Sequence, residues 1–517
     1  MAERDGERVT LLWTGGWDST FRLLQLLLVE GRPVQPVYVL NSARSSTPYE
    51  LRAIGTVRAQ VLPRLSDAAL LAPTRVVVGS DHPPTPGNAA LAESIRRRSD
   101  LGTQYLMLSG PAEALGWRGV ELAIDDWAGG RDWEHLLFSA PGRLADMPEA
   151  ALFKYWTFPV HHLSKEEMRE IAQRHGFLDV LRQRWSCHDP VLGRPCRRCR
   201  PCIDALPDGA RVAPSALVAA RSAGRRARRA ARSARRLVRV GARRRPPGTR
   251  TARAGPALDG CAGTSPPATS VGAMGGERVQ LLWTGGWDST FRLLQLLLVE
   301  RRPVQPIYVL NTERVSLRQE LRAMAAIRAA VQPRLADPSL LAPTQVLLAG
   351  DYPPSAESVA LSESLRSRTQ LGTQNLLLAG PAEALGWSGV EMCIPDVAMA
   401  ADWEALVFDT PGRINDSQEA RLFRFWSFPV IDLTKEDMRA CAQEHGFLDL
   451  LLMRWTCHDP LLGRPCGRCR PCQIAVRDGA RPAPPALVLA RSGQRRARRG
   501  VRSARRAVRA AAAARRT

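Results

Sequence analysis

The chain repeats itself at one fixed offset, and that repetition limits every fold it can adopt. Residues 11–20 and residues 281–290 both read LLWTGGWDST. Cys187, Cys196, Cys199 and Cys202 form a C-x8-C-x2-C-x2-C group, and Cys457, Cys466, Cys469 and Cys472 form it again. Asp18 to Asp288 spans 270 residues, as does Cys187 to Cys457. A period this long is a whole domain written twice, not a solenoid unit. The 517 residues are enough for two sizeable cores. We read 7–212 as a first domain and 213–275 as an Arg-rich segment with a Pro/Gly/Ser linker. A second domain then runs over 276–482, and 483–517 is an Arg/Ala-rich tail.

The net charge of +23 must be located before it means anything. Residues 221–253 carry 14 Arg and no acid, and residues 491–517 carry 11 Arg and no acid. The two domains are therefore close to neutral. The tails offer weak contact with nucleic acid or another acidic partner, although an Arg run with few aromatics is ordinarily a solvated segment. The apolar run LLQLLLV is too short to span a bilayer. The first ten residues lack an apolar signal core. The expectation is a cytoplasmic chain without a membrane, whose thiols stay reduced.

Within each copy, strand-like and helix-like runs alternate. ERVTLLW, VQPVYVLN, TRVVVG and GVELAI read as buried strands. DSTFRLLQLLLVE, ELRAIGTVRAQVLPRL, LGTQYLMLSGPAEALGW and LSKEEMREIAQRHGF read as helices. Asp18 or Ser19 would stand near the N-terminus of the first helix, and a Ser or Thr cap with an acid three residues on opens the last. The second copy gives the same order. Alternation of this kind predicts an α/β domain with a parallel sheet covered on both faces.

Two features carry chemistry. After the first strand, T-G-G-W-D-S-T turns into a helix. Two glycines allow close backbone approach, and a helix N-terminus aims N–H groups at an anion. The loop lacks the Gly-Lys-Ser/Thr ending of a Walker A sequence. The simpler alternative is a Gly turn with an N-cap. The eight clustered cysteines suit two closed, all-thiolate tetrahedral zinc sites, one per copy. Disulfides or an iron–sulfur cluster are the alternatives. A closed site has a structural role. Cys393 and Cys441 have no counterpart in the first copy and read as small core residues, and Cys261 falls in the linker.

The loop resembles the S-G-G-x-D-S motif of the PP-loop ATP pyrophosphatases, with Thr14 and Thr284 in place of the first Ser. From residue 426 the second copy reads WSFPVIDLTKEDMRACAQEHGFLDLLLMRWTCHDPLLGRPCGRCRPC, which resembles the C-terminal half of 7-cyano-7-deazaguanine synthase. The resemblance implies two tandem PP-loop domains of the adenine nucleotide alpha hydrolase-like type, each ending in a four-cysteine zinc subdomain. It implies an ATP-dependent C–N ligase that adenylates a carboxylate, releases pyrophosphate, and uses ammonia to reach an amide and then a nitrile. ATP would lie on Leu12, Trp13, Thr14, Gly15, Gly16, Trp17, Asp18, Ser19 and Thr20, and on Leu282, Trp283, Thr284, Gly285, Gly286, Trp287, Asp288, Ser289 and Thr290. Asp18 and Asp288 would meet Mg2+. Lys165 and Lys435, two of only three lysines, are catalytic candidates with the loop aspartates and would reach a phosphate, the alternative being a solvated first-turn lysine. The two copies would pack as an intramolecular pseudo-dimer.

The middle third departs from the family. Gly-Thr-Gln replaces the family's Gly-Arg-Asn, and IDDWAGGRDW and IPDVAMAADW match poorly. The second copy lies nearer the family pattern at Ile431–Lys435 and Cys466-Gly467, so it is expected to matter more. Two other functions compete. One is a PP-loop tRNA-thiolating enzyme, the other a nucleotide-sensing protein that holds nucleic acid through its Arg tails.

Overall fold

The computed structural model describes residues 8–125, 132–191, 193–206, 212–219, 221–223, 277–369, 374–394, 403–461 and 463–489. Most of both Arg-rich segments, the 246–275 linker with Cys261, and parts of the two divergent central segments lie outside them.

Fourteen strands form one ten-stranded sheet and two small hairpins. In the first repeat the sheet takes β1 (Val9–Leu12), β2 (Val34–Leu40), β3 (Arg75–Val78), β4 (Val120–Glu121) and β7 (Trp156–Thr157). Between them, β5 (Phe138–Ala140) and β6 (Arg143–Leu144) make a hairpin. The second repeat gives β8 (Val279–Leu282), β9 (Val304–Leu310), β10 (Gln345–Leu348), β11 (Val390–Glu391), the hairpin β12 (Phe408–Thr410) and β13 (Arg413–Ile414), and β14 (Trp426–Ser427). The sheet order is β14-β11-β8-β9-β10-β3-β2-β1-β4-β7.

Within the ten-stranded sheet every neighbouring pair inside a repeat is parallel, as suits the buried apolar runs of β1 and β2. The exception is the junction, where β3 and β10 pair antiparallel at Val76 and Val346. Each repeat's edge strand thus covers the other's, and neither leaves that edge open. One continuous core under the sheet includes Phe21, Ile54 and Phe177 from the first repeat and Phe291, Ile327 and Phe447 from the second.

Buried ion pairs fasten the junction reciprocally. Asp81 accepts from the Thr344 amide at 2.7 Å and pairs with Arg328 at 3.0 Å. Asp351 accepts from the Thr74 amide at 2.5 Å and pairs with Arg58 at 3.2 Å. Burial, partly offset by Arg58, raises the Asp351 carboxyl above its ordinary range.

The elements depart from the sequence reading in number and length. A fifth strand at Trp156 and Trp426 and helices at Pro86–Arg98 and Ala356–Arg368 were not expected. The fourth strand is only two residues long. Asp18 and Ser19 stand in the first turn of the first helix, as expected; it begins at Trp17, with Gly16 before it and no side-chain cap. The expected caps on the last helix are present as full capping boxes, Ser164 with Glu167 and Thr434 with Asp437. Among the described residues, no helix is long and apolar enough to cross a membrane.

Candidate functional site

The β3-β2-β1-β4-β7 strand order places β1 at a topological switch point. The chain leaves β1 for β2 on one side and reaches β4 on the other. The crevice outside the carboxyl end of such a strand is where open α/β sheets bind ligands. The TGGWDS loop occupies that end of β1, and its copy occupies the same end of β8.

The loop's shape follows from its residues. Gly15 has φ of 70°, and a Cβ there would meet the Glu50 carbonyl oxygen at 3.0 Å. Leu12, Trp13, Trp17, Ser19 and Thr20 are buried, whereas Thr14 is exposed. Trp13 Nε1 donates to Thr20 Oγ1 at 3.1 Å, which ties the strand end to the helix. The Thr14 amide donates to Ser19 Oγ at 3.2 Å, and the two hydroxyls lie 3.1 Å apart. Gly16 N donates to Thr14 Oγ1 at 3.3 Å. Ser19 therefore braces the loop instead of capping the helix. The Trp–Thr and Thr–Ser contacts recur as Trp283 with Thr290 and Thr284 with Ser289, with Leu282, Gly285, Gly286 and Trp287 in matching places. The 12-residue helix Trp17–Leu28 opens without a side-chain cap, so its first-turn amides face the crevice mouth.

Asp18 and Lys165 come together from 147 residues apart. Lys165 Nζ donates to Asp18 Oδ1 and lies 3.1 Å from Asp125 Oδ2. Burial opposes the ammonium's charge, but Asp18 and Asp125 outweigh it and raise the lysine's proton affinity. Asp18 is raised by burial and by Asp125, against the pull of Lys165. Lys435 donates to Asp288 in the second repeat. In the sequence the counterpart of Asp125 is Pro395, which lies outside the described residues. Both lysines sit on the loop aspartates.

Other groups around the loop escaped the sequence reading. Arg184 and Arg169 lie over the Trp17 ring at 4.1 and 5.5 Å, and Arg454 and Arg439 repeat this over Trp287. Arg22 grips Glu121 with two bonds of 2.8 and 2.9 Å, fixing the loop's helix to β4. Arg292 and Glu391 repeat it. Constant spacing of an Arg and a Glu in both copies was the available signal. Cys441 is buried in the core as expected. Cys393 is half-buried and within electrostatic reach of Asp288 and Lys435, and burial keeps its thiol protonated.

The four sulfurs in each cysteine group all lie within 4.8 Å of one another. Among the described residues every cysteine is free of disulfides. Backbone amides point at the sulfurs: Cys196 N to Cys187 Sγ at 3.2 Å, and Cys199 N to Cys196 Sγ at 3.4 Å. Cys466 N donates to Cys457 Sγ at 3.2 Å. N–H groups aimed at sulfur stabilise thiolates, so both groups fit one metal ion each, with Zn2+ suited by the donor set. Ala213 and Val218 pack on the first group, beyond the expected domain edge at 212.

The cysteine groups also brace the loops. Trp185 N donates to the Gly15 carbonyl at 2.8 Å, while its Nε1 donates to the Cys187 carbonyl at 2.9 Å. Trp455 links Gly285 to Cys457 in the same way.

No protein-family model, curated protein or solved structure matches the chain.

Proposed function

We propose that the chain is an ATP-dependent ligase of the 7-cyano-7-deazaguanine synthase type, with PP-loop nucleotide sites at the two TGGWDS loops. One observation carries the reading: an uncapped helix N-terminus behind a Gly-Gly turn, at the switch point of the sheet, occurs twice.

The substrate carboxylate attacks the α-phosphate of ATP, and pyrophosphate leaves. Ammonia then displaces AMP from the acyl adenylate to give an amide, and a second activation of the amide oxygen leads to the nitrile. The loop amides and the Thr14 and Ser19 hydroxyls stabilise charge that builds on phosphate oxygens. Lys165 and Lys435 balance the loop aspartates and offer an ammonium to the departing pyrophosphate. Asp18 and Asp288 are hard oxygen donors that fit Mg2+, which neutralises phosphate charge when bound. Each lysine competes with that cation for its aspartate. The zinc groups hold Trp185 and Trp455 against the loops and leave no ligand position open.

The direct test incubates the zinc-loaded chain with ATP, ammonia and 7-carboxy-7-deazaguanine and reads the product by mass spectrometry. Amide and nitrile products support the reading. An acid returned unchanged while ATP is consumed assigns another acceptor.

A further inference from the structure

The two repeats are not equivalent where they meet beside the loops. Arg322 of the second repeat donates to the Ser42 and Ala43 carbonyls of the first, both at 3.2 Å. Arg52 repeats the contact in reverse, to the Thr312 carbonyl at 3.0 Å. Two seams result, and their chemistry differs.

At the second seam Arg52 also pairs with Glu313 at 3.5 Å. Its counterpart at the first seam is Ala43, so Arg322 has no such acid. One helical turn before Arg322 stands Arg318, whose counterpart is Pro48. Both exchanges move charge the same way, leaving the first seam two positive charges richer. Arg318 makes no ion pair among the described residues, and its Nε is buried without a hydrogen-bond partner.

The first repeat supplies the facing wall. Tyr49 stacks on Trp185, with ring centroids 4.6 Å apart and planes at 19°, and Arg52 stands 5.8 Å from the Tyr49 ring centre. Tyr49 has Gln319 as its counterpart, so the second seam lacks this stack. Ser45 ties the Asn41–Ser45 loop to the cysteine group through the His188 carbonyl at 3.3 Å. Arg221 also stands near, but its charge is spent on Asp189 at 3.0 Å. Burial, then the charges of Arg322 and Arg221, disfavours protonated Arg318, and Tyr49 and Asp189 offset this only in part. An anion placed there would relieve that repulsion.

We propose that this first seam is an anion subsite, built by Arg318 and Arg322 of the second repeat against Tyr49 and Trp185 of the first, and that it takes a phosphate group. Guanidinium groups at an aromatic wall match phosphate oxygens better than a point charge does. Trp185 also holds the Gly15 carbonyl, so the subsite adjoins the first loop alone. The phosphate belongs either to a small phosphorylated ligand or to a nucleic-acid backbone. The inference rests on the seam's residues and does not require the loops to bind ATP.

The test is a titration of the full chain at low salt, following the tryptophan fluorescence that Trp185→Phe removes. Inorganic pyrophosphate and a short single-stranded oligouridylate are the two probes. Tighter binding of pyrophosphate assigns the small ligand, and tighter binding of the oligomer, with a steep salt dependence, assigns the backbone. Arg318→Gln should weaken the preferred probe by about tenfold or more, the loss of one charge-assisted contact. Ala43→Glu, which copies the acid of the other seam, should weaken it likewise. ATP turnover of Asp18→Asn with Asp288→Asn reports on the loops separately. No Trp185 response to either probe, or unchanged affinity in both seam variants, overturns the proposal.

Discussion

At the residue scale, each repeat shows where the other is strained. Arg197 has φ of 62°, while its counterpart Gly467 has 73°. Arg301 has φ of 53°, while its counterpart Gly31 has 62°. A side chain in this left-handed region costs about 1–2 kcal/mol. We predict that Arg197→Gly and Arg301→Gly each raise the melting temperature, by less than that figure because glycine loosens the unfolded chain. The loop aspartates should behave unequally. Asp18 holds its proton more tightly when folded than when unfolded. Its contribution to stability is present below the ordinary aspartate pKa and is lost as pH rises through the raised value. Asp18→Asn should therefore cost little stability at neutral pH, since Asp125 still faces Lys165. Asp288→Asn strips Lys435 of the one carboxylate it pairs with among the described residues, and should cost about 1–2 kcal/mol. Urea denaturation of the two single variants checks the difference. Thr14, Asp18 and Lys165 were legible because both copies carry them. Asp125 was not, because comparing copies reveals only what they share, and here one has proline.

At the element scale, the long buried runs of β2 and β9 were plain from their apolar pattern. The two-residue strands β4, β7, β11 and β14 were harder, since so short a strand has no period to read. The Pro86–Arg98 helix was hidden by prolines before it and by its arginine-rich end. The cysteine groups were legible in full from spacing, but their service to the loops was not, because Trp185 and Trp455 reach the loops through tertiary contact. This gives a prediction about metal. The chain should bind two Zn2+, and a strong chelator should change the near-UV signal of Trp185 and Trp455 as the loops lose that support. Cys199→Ser should halve the metal content and loosen the first loop only, which protection of the Gly15–Trp17 amides from hydrogen exchange would register.

For the whole molecule, two five-stranded halves form one sheet over one shared core. Antiparallel pairing of β3 with β10 could not be read from the sequence, since an edge strand does not announce its partner. The paired Asp81 and Asp351 are the fastening. Removing each leaves a buried guanidinium without its carboxylate, which costs about 3–5 kcal/mol. Calorimetry should give one cooperative transition for the parent chain, and a broadened or split one for Asp81→Ala with Asp351→Ala. A double variant that still melts as one unit would mean that the core alone couples the halves.

We propose that the TGGWDS loops drive ATP-dependent activation of a carboxylate. Pyrophosphate release in the presence of 7-carboxy-7-deazaguanine and ammonia measures it most directly. The parent chain should show acid-dependent release, lost in Asp18→Asn with Asp288→Asn while the fold stays intact. Release that is equal in the parent and the double variant would contradict it.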